Sequence, residues 1–177
     1  TGRNVASLKT WTGRKSPWIG TKNIWKLFKE VNLISNDTFE KIQSRKPKDW
    51  DYEFSDFVYE ELTNNKVFVT NLGKCTQVDA RAQSDEVLKK YPLLLFKGIE
   101  IIKPKVIVTF GNQVSSIVLN KKISVSENRK VCHELKIGKN KYKVYSVYYP
   151  VGNGIFNIDK SIEDIKWIIE NEIKENS

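Results

Sequence analysis

Two short apolar runs rich in β-branched residues, VFVT at 67–70 and VIVTF at 106–110, constrain the fold most. A strand that is apolar on both faces is covered on both, the pattern of a parallel sheet flanked by helices. Around these runs the apolar residues change period. Ile24, Trp25, Leu27, Phe28 and Val31 recur at helical spacing after Thr21, which is placed to cap that helix. Phe54, Phe57, Val58 and Leu62 predict a second short helix, and Asn64-Asn65 turns the chain. Ser84 opens a helical pattern of about 20 residues, with Val87, Leu88, Leu94, Leu95, Ile99 and Ile102 inward and Pro92 kinking or splitting it. Residues 113–119 predict another helix and residues 134–147 a hairpin. The last helix is expected over 158–173, with Ile162, Ile165, Ile168 and Ile169 inward. Strands alternating with helices predict an α/β fold, a three-layer α/β/α sandwich with a short, mainly parallel central sheet. With 177 residues, one domain over 1–177 is expected.

In such sheets ligands lie outside the carboxyl ends of the strands. Three segments occupy that edge: residues 71–75, Gly111-Asn112 and residues 149–156.

Composition narrows the partners. Thirty Lys and Arg against twenty-one Asp and Glu give a net charge of +9, which favours a polyanion because phosphate neutralisation releases counterions. Plain solubility is the other reading of the same surplus. The charge is spread along the chain and no apolar run reaches the roughly 18 residues of a membrane span, so no membrane partner is expected. Two cysteines, Cys75 and Cys132, make a disulfide framework improbable on arithmetic and point to a reducing, intracellular compartment. Two cysteines and one histidine, His133, do not make a metal-ligand set, so neither metal nor cofactor is expected. The chain lacks methionine and opens in a polar stretch, the expectation being a processed chain or a fragment. A monomer is expected.

The segments at the sheet edge carry a family resemblance. Thr70-Asn71-Leu72-Gly73-Lys74-Cys75, a polar loop, and then Ile102-Lys103-Pro104-Lys105-Val106-Ile107-Val108-Thr109-Phe110-Gly111 resemble the centre of the uracil-DNA glycosylases. Order and spacing are most similar to the thermostable iron–sulfur type. Ser16-Pro17-Trp18-Ile19-Gly20 resembles the pocket segment before the first helix, and Tyr149-Pro150-Val151-Gly152-Asn153-Gly154 falls at the second catalytic motif and DNA-intercalating loop.

The resemblance implies a monofunctional DNA glycosylase that hydrolyses the N-glycosidic bond of uracil, or another deaminated base, in DNA. Asn71 would read the extruded base, its amide accepting from N3–H and donating to O4; its other reading is a cap on the strand exit. Trp18 would stack on the base, unless it is an ordinary core tryptophan, and Gly111 would line the substrate site. Tyr149 stands where relatives have a histidine and would donate to the anion developing on O2. Lys74, Ser115, Gly152, Asn153, Gly154 and Ile155 are implied DNA contacts, with Ile155 or Phe156 as a wedge; a flexible Gly-Asn-Gly turn is the alternative.

Two departures matter. The iron–sulfur relatives place a second ligand sixteen residues after the cysteine matching Cys75, and that position is Tyr91, so no cluster is expected. Residues 1–15 hold no acidic side chain and no Gly-x-x-Pro-Gly pattern to position the attacking water, the expectation being that this motif either lies in a missing N-terminal part or has been lost. A glycosylase-fold protein that binds DNA or damaged bases without cutting is therefore the rival reading.

Overall fold

The computed structural model describes residues 5–74 and 83–174, with Asn153 described by its backbone alone. The chain divides into two compact units, Thr1–Ala82 and Gln83–Ser177.

The first unit is helical where described. After a 3-10 turn at Val5–Ser7 come α1 (Asn23–Glu30), α2 (Asn36–Ser44) and α3 (Tyr52–Asn64). Side-chain caps define the last two: Ser35 accepts from the Thr38 N–H at 3.2 Å, and Asp51 from the Phe54 N–H at 2.7 Å. Thr21 does not cap α1. Its hydroxyl donates to the Trp18 carbonyl at 2.7 Å, and Lys22 takes the cap position without a side-chain bond. A tight turn has claimed the group that would have closed the helix. Ile24, Trp25, Leu27 and Phe28 are buried, and Trp50, Val58, Tyr59 and Leu62 complete the core. Trp25 stacks on Trp50 with centroids 6.1 Å apart and meets Tyr59 edge-on at 5.6 Å. Truncating such a ring to alanine typically costs about 3–5 kcal/mol.

Residues 67–70 are not a strand. They leave α3 through a bond from the Val67 N–H to the Leu62 carbonyl and continue as irregular chain, with Phe68 66% exposed. Strand propensity needs a partner ladder to act on, and among the described residues no strand pairs with this run.

The second unit carries α4 (Asp85–Leu88), α5 (Pro92–Ile102), β1 (Val106–Phe110), α6 (Asn112–Val118), β2 (His133–Ile137), β3 (Asn140–Val147) and α7 (Ile158–Ile168). Pro92 splits the long helical pattern, standing at the first turn of α5. The split resets the helical phase. Leu88 and Ile99 are buried, but Leu94 and Ile102, expected inward, are exposed.

Three strands form a mixed sheet in the order β1-β3-β2. β1 runs parallel to β3, Val106 opposite Lys143 and Phe110 opposite Val147, whereas β2 and β3 form the expected hairpin. Ile158, Ile162, Ile165 and Ile168 are the buried face of α7. Ile169, expected inward, is only half-buried because the helix widens to a π-helical turn at Ile169–Lys174. Helices and a partly parallel sheet make this an α/β fold. Among the described residues no helix is long and apolar enough to cross a membrane.

Candidate active site

In the first unit, two predicted site residues are set by local geometry. Trp18 is half-buried and left-handed, with φ of 68°. A bulky residue in that region is an outlier costing on the order of 1–3 kcal/mol, and such outliers cluster at functional sites. Two bonds from Thr21, through its N–H at 3.0 Å and its hydroxyl, hold the Trp18 carbonyl and compensate part of that cost. The indole packs against Phe28 at 5.4 Å and edge-on to Trp25 at 6.4 Å. One side of Trp18 is thus anchored while the rest reaches the surface.

Asn71 is exposed at the end of the irregular run, followed by buried Leu72. Lys74, three residues on, donates to the Thr70 hydroxyl at 2.6 Å, and partial burial pushes its ammonium below the ordinary lysine value. Cys75 lies outside the described residues. Two clefts open on this unit, one lined by Lys41, Ser44, Arg45, Phe54 and Phe57, the other by residues of the α1–α2 turn and Glu61 and Asn65. Neither is lined by Trp18 or Asn71.

The second unit brings its predicted residues together at the carboxyl end of the parallel pair. Gly111 follows β1 with φ of 84° and extends the ladder by donating to the Val147 carbonyl at 2.8 Å. That φ favours glycine. A Cβ there would lie 3.4 Å from the Cβ of Tyr149, so the two strand ends are in contact. The Tyr149 ring meets Phe110 edge-on, centroids 6.3 Å apart, and the residue is 42% exposed.

Ser115 has a different place from the one its phosphate role required. It is fully buried in α6, its hydroxyl donating to the Gly111 carbonyl at 2.8 Å and lying 2.8 Å from the Thr109 hydroxyl. It braces the turn and does not face a surface where a phosphate could lie.

Gly152, Asn153, Gly154 and Ile155 form a 3-10 helix, Gly152–Asn157, rather than an open loop. Ile155 is half-buried, whereas Phe156 is 88% exposed. Of the two wedge candidates, Phe156 is the one presented to solvent. A solvated aromatic ring of this size is unfavourable unless something covers it.

His133 begins β2 away from these residues in the sheet: its Nε2 lies 3.1 Å from the Asn128 amide oxygen and its Nδ1 3.0 Å from the Lys121 ammonium. Burial and then the Lys121 charge hold its pKa below the ordinary value. Among the described residues, no three His, Cys, Asp or Glu side chains gather as a metal site would need. Cys132 is an exposed free thiol.

Sequence reasoning missed two bracing residues. Ser161, fully buried in α7, donates to the Tyr148 carbonyl at 3.0 Å. Arg129 clasps the buried Asp164 at 2.9 Å and Glu163 at 2.8 Å. The only available signal was a small or acidic residue on the apolar face of α7.

Comparison with known families adds a separate observation. The profile described as the Uracil DNA glycosylase superfamily matches residues 9–156. No curated protein matches the sequence. The matched span contains Trp18, Asn71, Lys74, Gly111, Tyr149 and the whole 152–155 segment, and it runs through residues of both compact units. A match over most of the chain places the protein by descent as well as by architecture: it belongs to the uracil DNA glycosylase superfamily.

Proposed function

We propose that the protein hydrolyses the N-glycosidic bond of uracil, or of another deaminated base, in DNA, acting as a monomer without metal or cofactor. The observation that carries this reading is the superfamily match over residues 9–156, within which the predicted base-handling residues fall. The net charge of +9 supports a polyanionic partner.

The substrate nucleotide must leave the stack, at a cost of a few kcal/mol. The half-exposed Trp18 offers an aromatic face for the extruded base, a contact worth about 1–3 kcal/mol. Exposed Asn71 accepts from N3–H and donates to O4, a pattern that cytosine presents in reverse; the discrimination is about 1–3 kcal/mol. As the bond to the sugar breaks, negative charge grows on O2, and the Tyr149 hydroxyl donates to it. Phe156, helped by Ile155, fills the gap left in the duplex, and Gly152, with nothing within 4 Å of its Cβ position, lets phosphate approach the backbone. Lys74 adds a phosphate contact. Water completes the reaction. The compartment in which DNA is met is intracellular in this reading.

A second reading, binding without cleavage, is favoured by one observation: Tyr149 stands where the relatives have a histidine. The same experiment separates the two. Oligonucleotides carrying uracil, hypoxanthine or xanthine are incubated with the protein, then treated with alkali to cut abasic sites. Strand scission that Asn71→Ala reduces supports the glycosylase. A gel shift with no scission supports the binder, and equal scission by both proteins removes Asn71 from base recognition.

A further inference from the structure

The segment bearing Tyr149 is held by residues that the chemistry does not itself use. The Tyr149 carbonyl accepts the Val151 N–H at 2.9 Å, and the Val151 carbonyl accepts the Gly154 N–H at 3.1 Å. These two turns fold Gly154 back onto Tyr149. A Cβ added at residue 154 would sit 1.9 Å from the Tyr149 carbonyl oxygen and 3.1 Å from its carbon. Both are backbone atoms, so no rotation of a side chain could relieve the overlap; the strand end itself would have to move. Gly152 makes the contrast, because its Cβ position meets nothing within 4 Å and its φ of 60° alone calls for glycine.

One residue earlier the chain is pinned again. The buried Ser161 hydroxyl donates to the Tyr148 carbonyl at 3.0 Å and shares its hydrogen with the Asn157 carbonyl at 3.2 Å. Across the parallel pair, the Gly111 Cβ position lies 3.4 Å from the Cβ of Tyr149. The backbone at 148–149 therefore has a fixed course, set by a carbonyl clamp from α7 before it and a glycine packed on it after.

We propose that Gly154 and Ser161 are positioning residues, fixing the backbone of Tyr149 so that its phenol points in one direction. The catalytic consequence rests on the reading of Tyr149 as the donor to the leaving base; the positioning itself does not. A displaced donor loses alignment with the developing anion while the DNA contacts elsewhere remain, so the loss falls on the chemical step and not on binding.

The test uses the full chain labelled with 3-fluorotyrosine, the Tyr149 resonance being the one lost in Tyr149→Phe. Gly154→Ala is expected to shift that ¹⁹F resonance and to slow single-turnover excision from a uracil oligonucleotide by about a hundredfold. Its affinity for the oligonucleotide should stay within about twofold of the parent's. Ser161→Ala, which removes only a hydroxyl, should move both readouts the same way by less. Gly98→Ala, in α5 with nothing within 4 Å of its Cβ position, should move neither. An unmoved resonance in folded Gly154→Ala overturns the proposal, as does a moved resonance with an unchanged rate in an active protein. Should Gly154→Ala fail to fold by circular dichroism, the resonance in Ser161→Ala decides in the same way. A parent protein that releases no base refutes the glycosylase reading, and the resonances alone then decide whether these residues position Tyr149.

Discussion

Two runs of nearly the same composition, VFVT and VIVTF, have opposite fates in this molecule. Residues 106–110 form β1, paired in parallel with Lys143–Val147 along their full length. The Thr109 hydroxyl sits in a buried network, 2.8 Å from Ser115 and 3.3 Å from both Ser146 and the Tyr145 carbonyl. Residues 67–70 are irregular chain, with Phe68 and Thr70 exposed and a single bond back to α3 at their start. Propensity is common to both, and among the described residues only VIVTF has a partner strand. Each run ends in a predicted site residue, but the ends differ in kind. β1 delivers Gly111 into a braced contact with Tyr149, while the irregular run delivers an exposed Asn71.

That contrast predicts unequal effects on catalysis. On the proposed function, Tyr149→Phe removes one donor aimed at developing charge, a change that typically lowers kcat by about 10²–10³-fold. On the same proposal, Asn71→Ala removes a recognition pair, for about 1–3 kcal/mol of lost discrimination, spread over binding and rate. Single-turnover excision with both variants orders them. A larger loss in Asn71→Ala than in Tyr149→Phe would reverse the comparison and move the demanding chemistry to the exposed end.

The same two runs show what could be read from sequence. β1, α6 and the hairpin were legible because their periodicity and their breakers, Pro104 and the Gly138 turn, agree with their pairing. Pro92 was legible as a helix breaker, but the faces of the helices it separates were not, since the phase after the break depends on where α5 restarts. The failure at 67–70 has one cause: a sequence states what a strand is made of and not which strand lies beside it. At the site, residue types were visible and their directions were not. Ser115 has the composition of a phosphate contact and the position of a buried brace. Ile155 and Phe156 are neighbours of equal apolarity, and only the 3-10 turn turns Phe156 outward.

A matched pair of threonines tests the structural half of the comparison. Thr109→Val deletes a buried hydroxyl that bonds Ser115, Ser146 and the Tyr145 carbonyl, Ser115 keeping its bond to the Gly111 carbonyl, for an expected loss of about 1–3 kcal/mol in unfolding free energy. Thr70→Val deletes an exposed hydroxyl that accepts from the Lys74 ammonium, and surface changes of this kind stay within about 0.5 kcal/mol. Urea denaturation measures both. Equal destabilisation would mean that residues 67–70 are paired in solution as firmly as β1.

The smallest expected effect concerns the bracing of α7, which in turn carries Ser161. Hydrogen bonds from Lys130 and then Arg129, with the attraction of both cations, hold the Glu163 carboxyl down at about 2. The ordinary value is 4.5, so the folded state favours the ionised form. That contribution is complete above about pH 4.5 and is lost as the pH falls toward about 2, because the unfolded chain takes up its proton first. Glu163 is exposed, and water and salt screen the pair, so the change is modest and shrinks as ionic strength rises. Thermal unfolding of the parent should therefore fall more steeply between about pH 5 and pH 2 than that of Glu163→Gln, at low salt, with the two curves parallel above pH 5. Parallel curves throughout would show that Arg129 braces α7 through buried Asp164 alone, leaving Glu163 a surface partner with no part in holding the helix that pins the Tyr148 carbonyl.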